Sequence, residues 1–314
     1  MIIRTQEDVT GAVLSEIAGA GDPRFREIMS SLVRHLHAFA REVKLTEAEF
    51  QAAASYIVAI GQKSSETHNE GVLMAGSLGL STLVCLLNNG NNGATETTAN
   101  LLGPFWRADS PAMENGASIV RSPTPGEPIF VNAWIKDPQG QPVAGAVVDV
   151  WHSSTEGYYE NQDPVQADMN LRGKFTSDAD GHIAFRSIKP AGYPIPVDGP
   201  VGDLLRAQGR ANMRPAHLHF LIYKVGFKTH ISQVYTDDDP HLETDSQFGV
   251  THALIGHYVR HDKEPAPAPD VTGPWYSLDY TFGIESGIAK WPRAPISGKA
   301  RGERPAIERL KRMR

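Results

Sequence analysis

Residues 88–100 read NNGNNGATETTAN, a polar Gly/Asn-rich stretch that reads as a loop and separates two kinds of apolar pattern. Before it the period is helical. Asp22-Pro23 places a capping residue before a proline at the first helical position, and from there Phe25, Ile28, Met29, Leu32, Val33, Leu36 and Phe39 recur at steps of three and four. That spacing predicts one buried helix face. Phe50, Ala53, Ile57 and Ile60 repeat it after Thr46, and Thr5 with Asp8, like Thr46 with Glu49, fits a capping box. The run Val72 to Leu87 is apolar nearly all round, which predicts burial on more than one side. After the divide the period becomes two. Phe130–Ile135, Val147–Trp151, His182–Arg186, His217–Ile222 and Ser232–Tyr235 read as strands, with turns such as Pro138-Gln139-Gly140 between them. The expected fold class is α+β: a helical region over residues 1–100, then an antiparallel β-sandwich over residues 101–314. EPAPAPD (264–270) reads as an extended surface excursion, and the basic stretch 301–314 as a solvated arm or short helix.

Composition removes several function classes. Of 314 residues one is cysteine, Cys85, which excludes an intrachain disulfide framework and any cysteine-rich metal site. A metal must therefore be held by His, Asp, Glu or Tyr. The formal net charge of −6 gives no reason to expect nucleic acid or an anionic membrane surface. No apolar run approaches the ~18 residues of a membrane span. The start is polar by its fourth residue, so no signal-peptide core is expected and the cytoplasm is the expected compartment.

His217 and His219 lie two apart on a strand, so both imidazoles point to one face. They could share a metal, or be a pair of partly exposed histidines. Arg214 just upstream favours a site, because histidines beside a fixed positive charge are an unusual way to fill a core. The remaining donors must be oxygens. Carboxylates suit several divalent ions, while phenolates suit Fe(III), whose charge drives off the phenol proton. Tyr159 in STEGYYENQDP and Tyr193 in PAGYPIP stand in turn-rich segments, either as such donors or as amphipathic tyrosines at a core edge. His241, His252, His257 and His261 fit no common site spacing, and Asp237-Asp238-Asp239-Pro240 reads as a turn.

VDVWHSSTEGYYENQDP, NLRGKFTSDADGHIAFRSIKPAGYPIPVDGP and GRANMRPAHLHF occur in this order. Together they resemble the intradiol ring-cleavage dioxygenases, the catechol and hydroxyquinol 1,2-dioxygenases. LTEAEFQAAASYIVAIGQ, LLGPFW and DSQFGVTHALIG extend the likeness over most of the chain. The resemblance implies a helical dimerisation region followed by a sandwich with one Fe(III) per subunit between its sheets. It puts the ligands on Tyr159, Tyr193, His217 and His219. Tyr159 would leave the metal when substrate arrives and act as a base, and Tyr193 would stay. Arg214 would stand by the substrate ring and Gln233 close to the iron. The implied partners are an aromatic diol and O2, a second copy of the chain, and a phospholipid enclosed between helices.

AGYPIPVDGPVGDLLRAQGR and LLGPFW resemble hydroxyquinol enzymes more than simple catechol enzymes. The implied pocket is Leu73, Gly76, Leu101, Leu102, Gly103, Pro104 and Phe248. Hydroxyquinol enzymes tend to carry acidic residues where this chain has Gly76 and Cys85, so a catechol or substituted catechol stands as the alternative substrate. The glycine is expected to leave room, and Cys85 to be a buried small hydrophobe. Two rivals of other classes are a non-catalytic sandwich binding module and a zinc hydrolase using His217 and His219.

Overall fold

Capping chemistry starts the first helices where the sequence places them. The structure is a computed structural model that describes residues 2–88 and 97–313, so residues 89–96 of the polar divide lie outside the described residues. Helix α1 (Gln6–Ile17) begins where the Asp8 carboxylate accepts the Thr5 N–H at 3.2 Å. Helix α2 (Pro23–Glu42) follows Asp22, whose carboxylate accepts the N–H groups of Arg24 and Phe25. Helix α3 (Glu47–Lys63) carries a full capping box: Glu49 accepts the Thr46 N–H at 2.9 Å and Thr46 Oγ1 accepts the Glu49 N–H at 3.3 Å. Helices α4 (Glu70–Ser77) and α5 (Leu80–Asn88) bend by 79° at Leu78-Gly79.

Within the single chain two apolar runs are less buried than their pattern predicts. Phe25, Ile28, Leu32, Leu36 and Phe39 of α2 each stand about half exposed. The contacts between α1 and α2 include polar ones, with Thr10 Oγ1 2.9 Å from His37 Nδ1 and Arg41 donating to Gln6 O at 2.9 Å. In the run Val72–Leu87 the bend sends Leu73 and Gly76 inward, while Leu80, Leu83 and Leu87 are exposed. The chain divides into two compact units, Met1–Val58 and Ala59–Arg314. α4 and α5 belong to the unit that holds the sheets. Among the described residues no single helix is long and apolar enough to cross a membrane.

The strands are β1 (Pro128–Lys136), β2 (Val147–Trp151), β3 (Arg172–Thr176), β4 (His182–Ile188), β5 (Tyr193–Pro194), β6 (Met213–Arg214), β7 (His217–Tyr223), β8 (His230–Thr236), β9 (Ile255–Gly256), β10 (Val259–His261) and β11 (Trp275–Gly283), with α6 (Pro200–Ala207) between β5 and β6. They form one sheet ordered β10-β11-β1-β4, a second ordered β3-β2-β7-β8-β9, and the small pair β5-β6. Burial alternates strictly along β1, as one packed face requires. Its inward residues Val131, Ala133 and Ile135 share one core with Val148 and Val150 of β2 and Phe220 and Ile222 of β7. The sandwich is mixed rather than purely antiparallel, because β1 with β11 and β8 with β9 run parallel. These strands are joined by long connections, so no hairpin dictates an antiparallel pairing. The excursion 264–270 has no regular structure, as expected. The basic stretch 301–313 forms no helix; it is a largely exposed arm anchored at points, with Leu310 N–H bound by Asn212 Oδ1 and Met313 N–H by Gly209 O.

Candidate metal centre and substrate cavity

The register of β7 builds the first half of the site. His217 and His219 are two residues apart, so their rings share a face. His217 is paired across the sheet with Tyr235, and His219 with Gln233 on β8 and Trp151 on β2. Trp151 stacks on the His219 ring at 4.5 Å, and this fixes the ring plane. The pair β5-β6 builds the second half by setting Tyr193 opposite Arg214. Tyr159 comes from an irregular segment and is held between Phe105 and Tyr193, at ring distances of 4.7 and 5.2 Å.

These elements bring four donor atoms together. Tyr159 Oη lies 3.0 Å from His219 Nε2, 3.2 Å from Tyr193 Oη and 3.4 Å from His217 Nε2. The two Nε2 atoms are 3.1 Å apart. His217 Nδ1 faces Pro215 O at 2.7 Å and must carry the proton to donate there, so Nε2 is a bare lone pair. Burial first, then Arg214, pushes His217 down to about 3, and burial with His217 nearby pushes His219 well below its ordinary value. Both imidazoles are therefore neutral. Burial, then Tyr193, pushes the Tyr159 phenol well above its usual range. Two neutral imidazoles and two phenol oxygens converging on one buried point form a donor set that fits a hard, highly charged cation. The histidines His257 and His261 do not join it: His257 pairs with Asp237 and His261 stacks on Trp275.

Arg214 is fully engaged. Its Nε and Nη2 donate to Asp245 at 3.0 and 3.1 Å, and Nη2 also reaches Gln233 Oε1 and Tyr235 Oη, each at 2.9 Å. Burial works against this guanidinium, but Asp245, then Tyr235 and Tyr193, hold it well above its ordinary value. Its Nη1 lies 3.5 Å from Tyr193 Oη. Gln233, whose Oε1 accepts from Arg214, is held at its other end by its Nε2 donating to Leu101 O at 2.8 Å.

A cavity of about 790 Å³ opens beside Tyr193 and Arg214. Leu73, Gly76, Leu101, Leu102, Gly103 and Pro104 line it, as does Cys85, whose thiol burial pushes up to about 11 and so keeps protonated. Gly103 has φ +75°, and a Cβ there would sit 3.4 Å from the His219 ring, so backbone and histidine meet where a side chain would be strained. Phe248 is a correction. It is half exposed, stacks against the Arg210 guanidinium at 4.6 Å and does not line the cavity. Its neighbour Gln247 does. The space expected to be open at Gly76 is also taken: a Cβ on Gly76 would lie 1.9 Å from Gln247 Oε1. The Gln247 amide is held there by donating to Ser77 Oγ at 2.7 Å. Asp245, Tyr235 and Gln247 are the residues the sequence reading missed. The motif DSQFGV was visible, but which of its side chains turns inward was not.

Residues 101–285 match the family model described as Dioxygenase, and residues 22–96 match the model Catechol dioxygenase N terminus. The chain is 40% identical over 281 residues to hydroxyquinol 1,2-dioxygenase of Rhizobium sp. (strain MTP-10005), covering 88% of this chain and 94% of that one. It is 36% identical over 297 residues to catechol 1,2-dioxygenase of Candida albicans, covering 93% and 96%. The solved structure of hydroxyquinol 1,2-dioxygenase from Pseudomonas putida DLL-E4 matches with a TM-score of 0.80 at 37% identity, over 90% of this chain and 99% of that chain. In sequence, in fold and over nearly its whole length, the chain belongs to the intradiol ring-cleavage dioxygenases.

Proposed function

We propose that this enzyme opens hydroxyquinol (1,2,4-trihydroxybenzene) to maleylacetate, placing both atoms of O2 between two hydroxylated carbons, with one Fe(III) per subunit held by Tyr159, Tyr193, His217 and His219. The observation that carries the reading is the convergence of the Tyr193 oxygen and two imidazole nitrogens within 3.4 Å of Tyr159 Oη. Bound Fe(III) supplies the Lewis acidity that lets a diol bind as its dianion. The chain's own residues do the rest. Tyr159 Oη accepts a proton from the incoming diol. Its place among the converging donor atoms, 3.0 Å from His219 Nε2 and 3.2 Å from Tyr193 Oη, suits that task. Arg214, fixed by Asp245 and 3.5 Å from Tyr193 Oη, presents a rigid positive charge to the negative charge that builds on the ring. The cavity wall of Leu73, Leu101, Leu102 and Pro104 excludes water, which strengthens that interaction.

Gln247 supports the trihydroxy substrate. Its carbonyl oxygen occupies the position left by Gly76 and offers an acceptor to a third hydroxyl. The apolar wall of Leu80 and Val84 favours the second reading, an alkyl-substituted catechol giving a cis,cis-muconate. Oxygen uptake with hydroxyquinol, catechol and a methylcatechol separates the two. Hydroxyquinol is expected to have the highest kcat/KM, and Gln247→Leu to lower its advantage over catechol by roughly 3- to 10-fold, the size of one hydrogen bond of about 1 kcal/mol. An unchanged ratio in the variant removes Gln247 from recognition.

The half-exposed stripe of α2 supports a homodimer, with a phospholipid as a further apolar partner of that surface. A mass in solution of two chains is expected, and of one chain after Leu32→Asp with Leu36→Asp. A monomeric unsubstituted protein overturns the dimer.

A further inference from the structure

Residues 286–313 lie beyond the stretch that matches the Dioxygenase model, 101–285, and part of this segment runs against the loop that carries Tyr159. That loop, residues 154–166, has one 3-10 turn of its own, Glu160–Gln162, so many of its carbonyls need partners from elsewhere. Lys299 meets three of them. Its Nζ donates to Glu160 O at 2.8 Å, Asp163 O at 2.6 Å and Gln166 O at 2.7 Å, which uses all three ammonium protons. The next residue, Ala300, donates its N–H to Asn161 O at 2.7 Å. Arg304 secures the other side of the tyrosine. It bridges Glu156 at 2.8 Å and Asp163 at 2.6 Å, and its guanidinium lies 4.4 Å from the centre of the Tyr158 ring. Tyr158 Oη in turn donates to Pro305 O at 2.7 Å. The residues immediately before and after Tyr159 are thus fastened to one strap.

We propose that residues 299–305 form a strap whose Lys299 and Arg304 are positioning residues for Tyr159, fixing the loop from which this phenol reaches the metal and its proton. The proposal rests on the reading of Tyr159 as a ligand and base. One ammonium that gathers three carbonyls ties three points of an irregular loop to each other, holding its backbone where the buried Arg107 and Arg172 hold the Glu160 side chain. A change at Lys299 therefore acts on Tyr159 through the backbone, with no contact to substrate.

The test is Lys299→Met in the full chain, with Arg304→Gln as a milder second variant. In the metal-free protein, amides of residues 154–166 are expected to exchange with deuterium on the order of tenfold faster, while those of β7 keep their rates. After loading with Fe(III), the visible tyrosinate band is expected to shift and kcat to fall about tenfold or more with KM for the diol unchanged, the size of effect that residues supporting a ligand give. Unchanged exchange in both variants overturns the strap. Faster exchange with an unshifted band and unchanged kcat overturns its link to Tyr159. If the unsubstituted protein itself shows no tyrosinate band, the ligand reading fails, and the exchange rates still decide whether Lys299 holds the loop.

Discussion

A Tyr159→Phe variant is expected to keep its fold and lose about 10²- to 10⁴-fold in kcat, the range set by loss of a well-placed proton acceptor. Phenylalanine preserves the ring that packs at 4.7 Å on Phe105 and edge-on at 5.2 Å to Tyr193, so the core around it is undisturbed. What disappears is one oxygen, together with its 3.0 Å contact to His219 and 3.2 Å contact to Tyr193. The proton of the diol then has to go to a weaker acceptor. KM should change little, since the cavity wall is intact. Steady-state oxygen uptake measures the loss, and the visible spectrum provides the control. The band contributed by Tyr193 should survive in Tyr159→Phe and vanish in Tyr193→Phe. A Tyr159→Phe enzyme with unimpaired kcat would remove this residue from proton transfer.

Arg214→Leu is expected to damage two things by separate routes. Loss of a fixed charge aimed at the developing anion should lower kcat by about 10²- to 10³-fold. Loss of the partner of Asp245 should also cost stability, about 3–5 kcal/mol, because a buried carboxylate is left uncompensated. The pH dependence follows from the signs. Burial raises the Asp245 carboxyl, but Arg214 and the N–H groups of Gln247 and Gly249 bring it below its ordinary value. In the unsubstituted protein this group stabilises the fold above its unfolded pKa, and that contribution is lost as pH falls through the lowered folded value. In Arg214→Leu burial is opposed by the N–H groups alone, so the folded pKa rises. If it passes the unfolded value, the sign inverts and the variant loses stability as pH climbs through the new folded pKa. Urea unfolding of the metal-free proteins at pH 5 and pH 8 should show the gap between variant and parent widening at the higher pH. Adding Asp245→Asn should recover most of the stability and none of the kcat. If both return together, Arg214 is a structural residue.

The alternation that marks β1 and the i, i+2 pair on β7 were legible because one buried face dictates period two, and the helix starts were legible because capping is local. The resemblance placed Tyr159, Tyr193, His217 and His219, and the structure brings those atoms together. Two kinds of information were absent. The stripe of α2 has the pattern of a buried helix, but periodicity shows only that a face is apolar and not what covers it. Gln247 and Phe248 are adjacent, and only the loop's path decides which faces the cavity. The filling of the Gly76 position by Gln247 joins residues far apart in the chain, which no local pattern records. The same holds for Lys299 after β11, which is spent on backbone carbonyls more than a hundred residues earlier in the chain.

The parallel pairing of β1 with β11 has a consequence for the order in which the molecule is made. Among the described residues β11 is the last strand, yet it lies between β10 and β1 rather than at an edge. Its Leu278 and Phe282 are fully buried in the shared core. The sheet of both histidines needs nothing beyond β9 to pair, so it can be complete on the ribosome while the facing sheet still lacks an inner strand. Closing so long a loop is entropically slow and brings no reward until the contact is made. Folding of this chain therefore turns on one late insertion, and until β11 arrives the inward face of the histidine sheet is covered only in part, by β1 and β4.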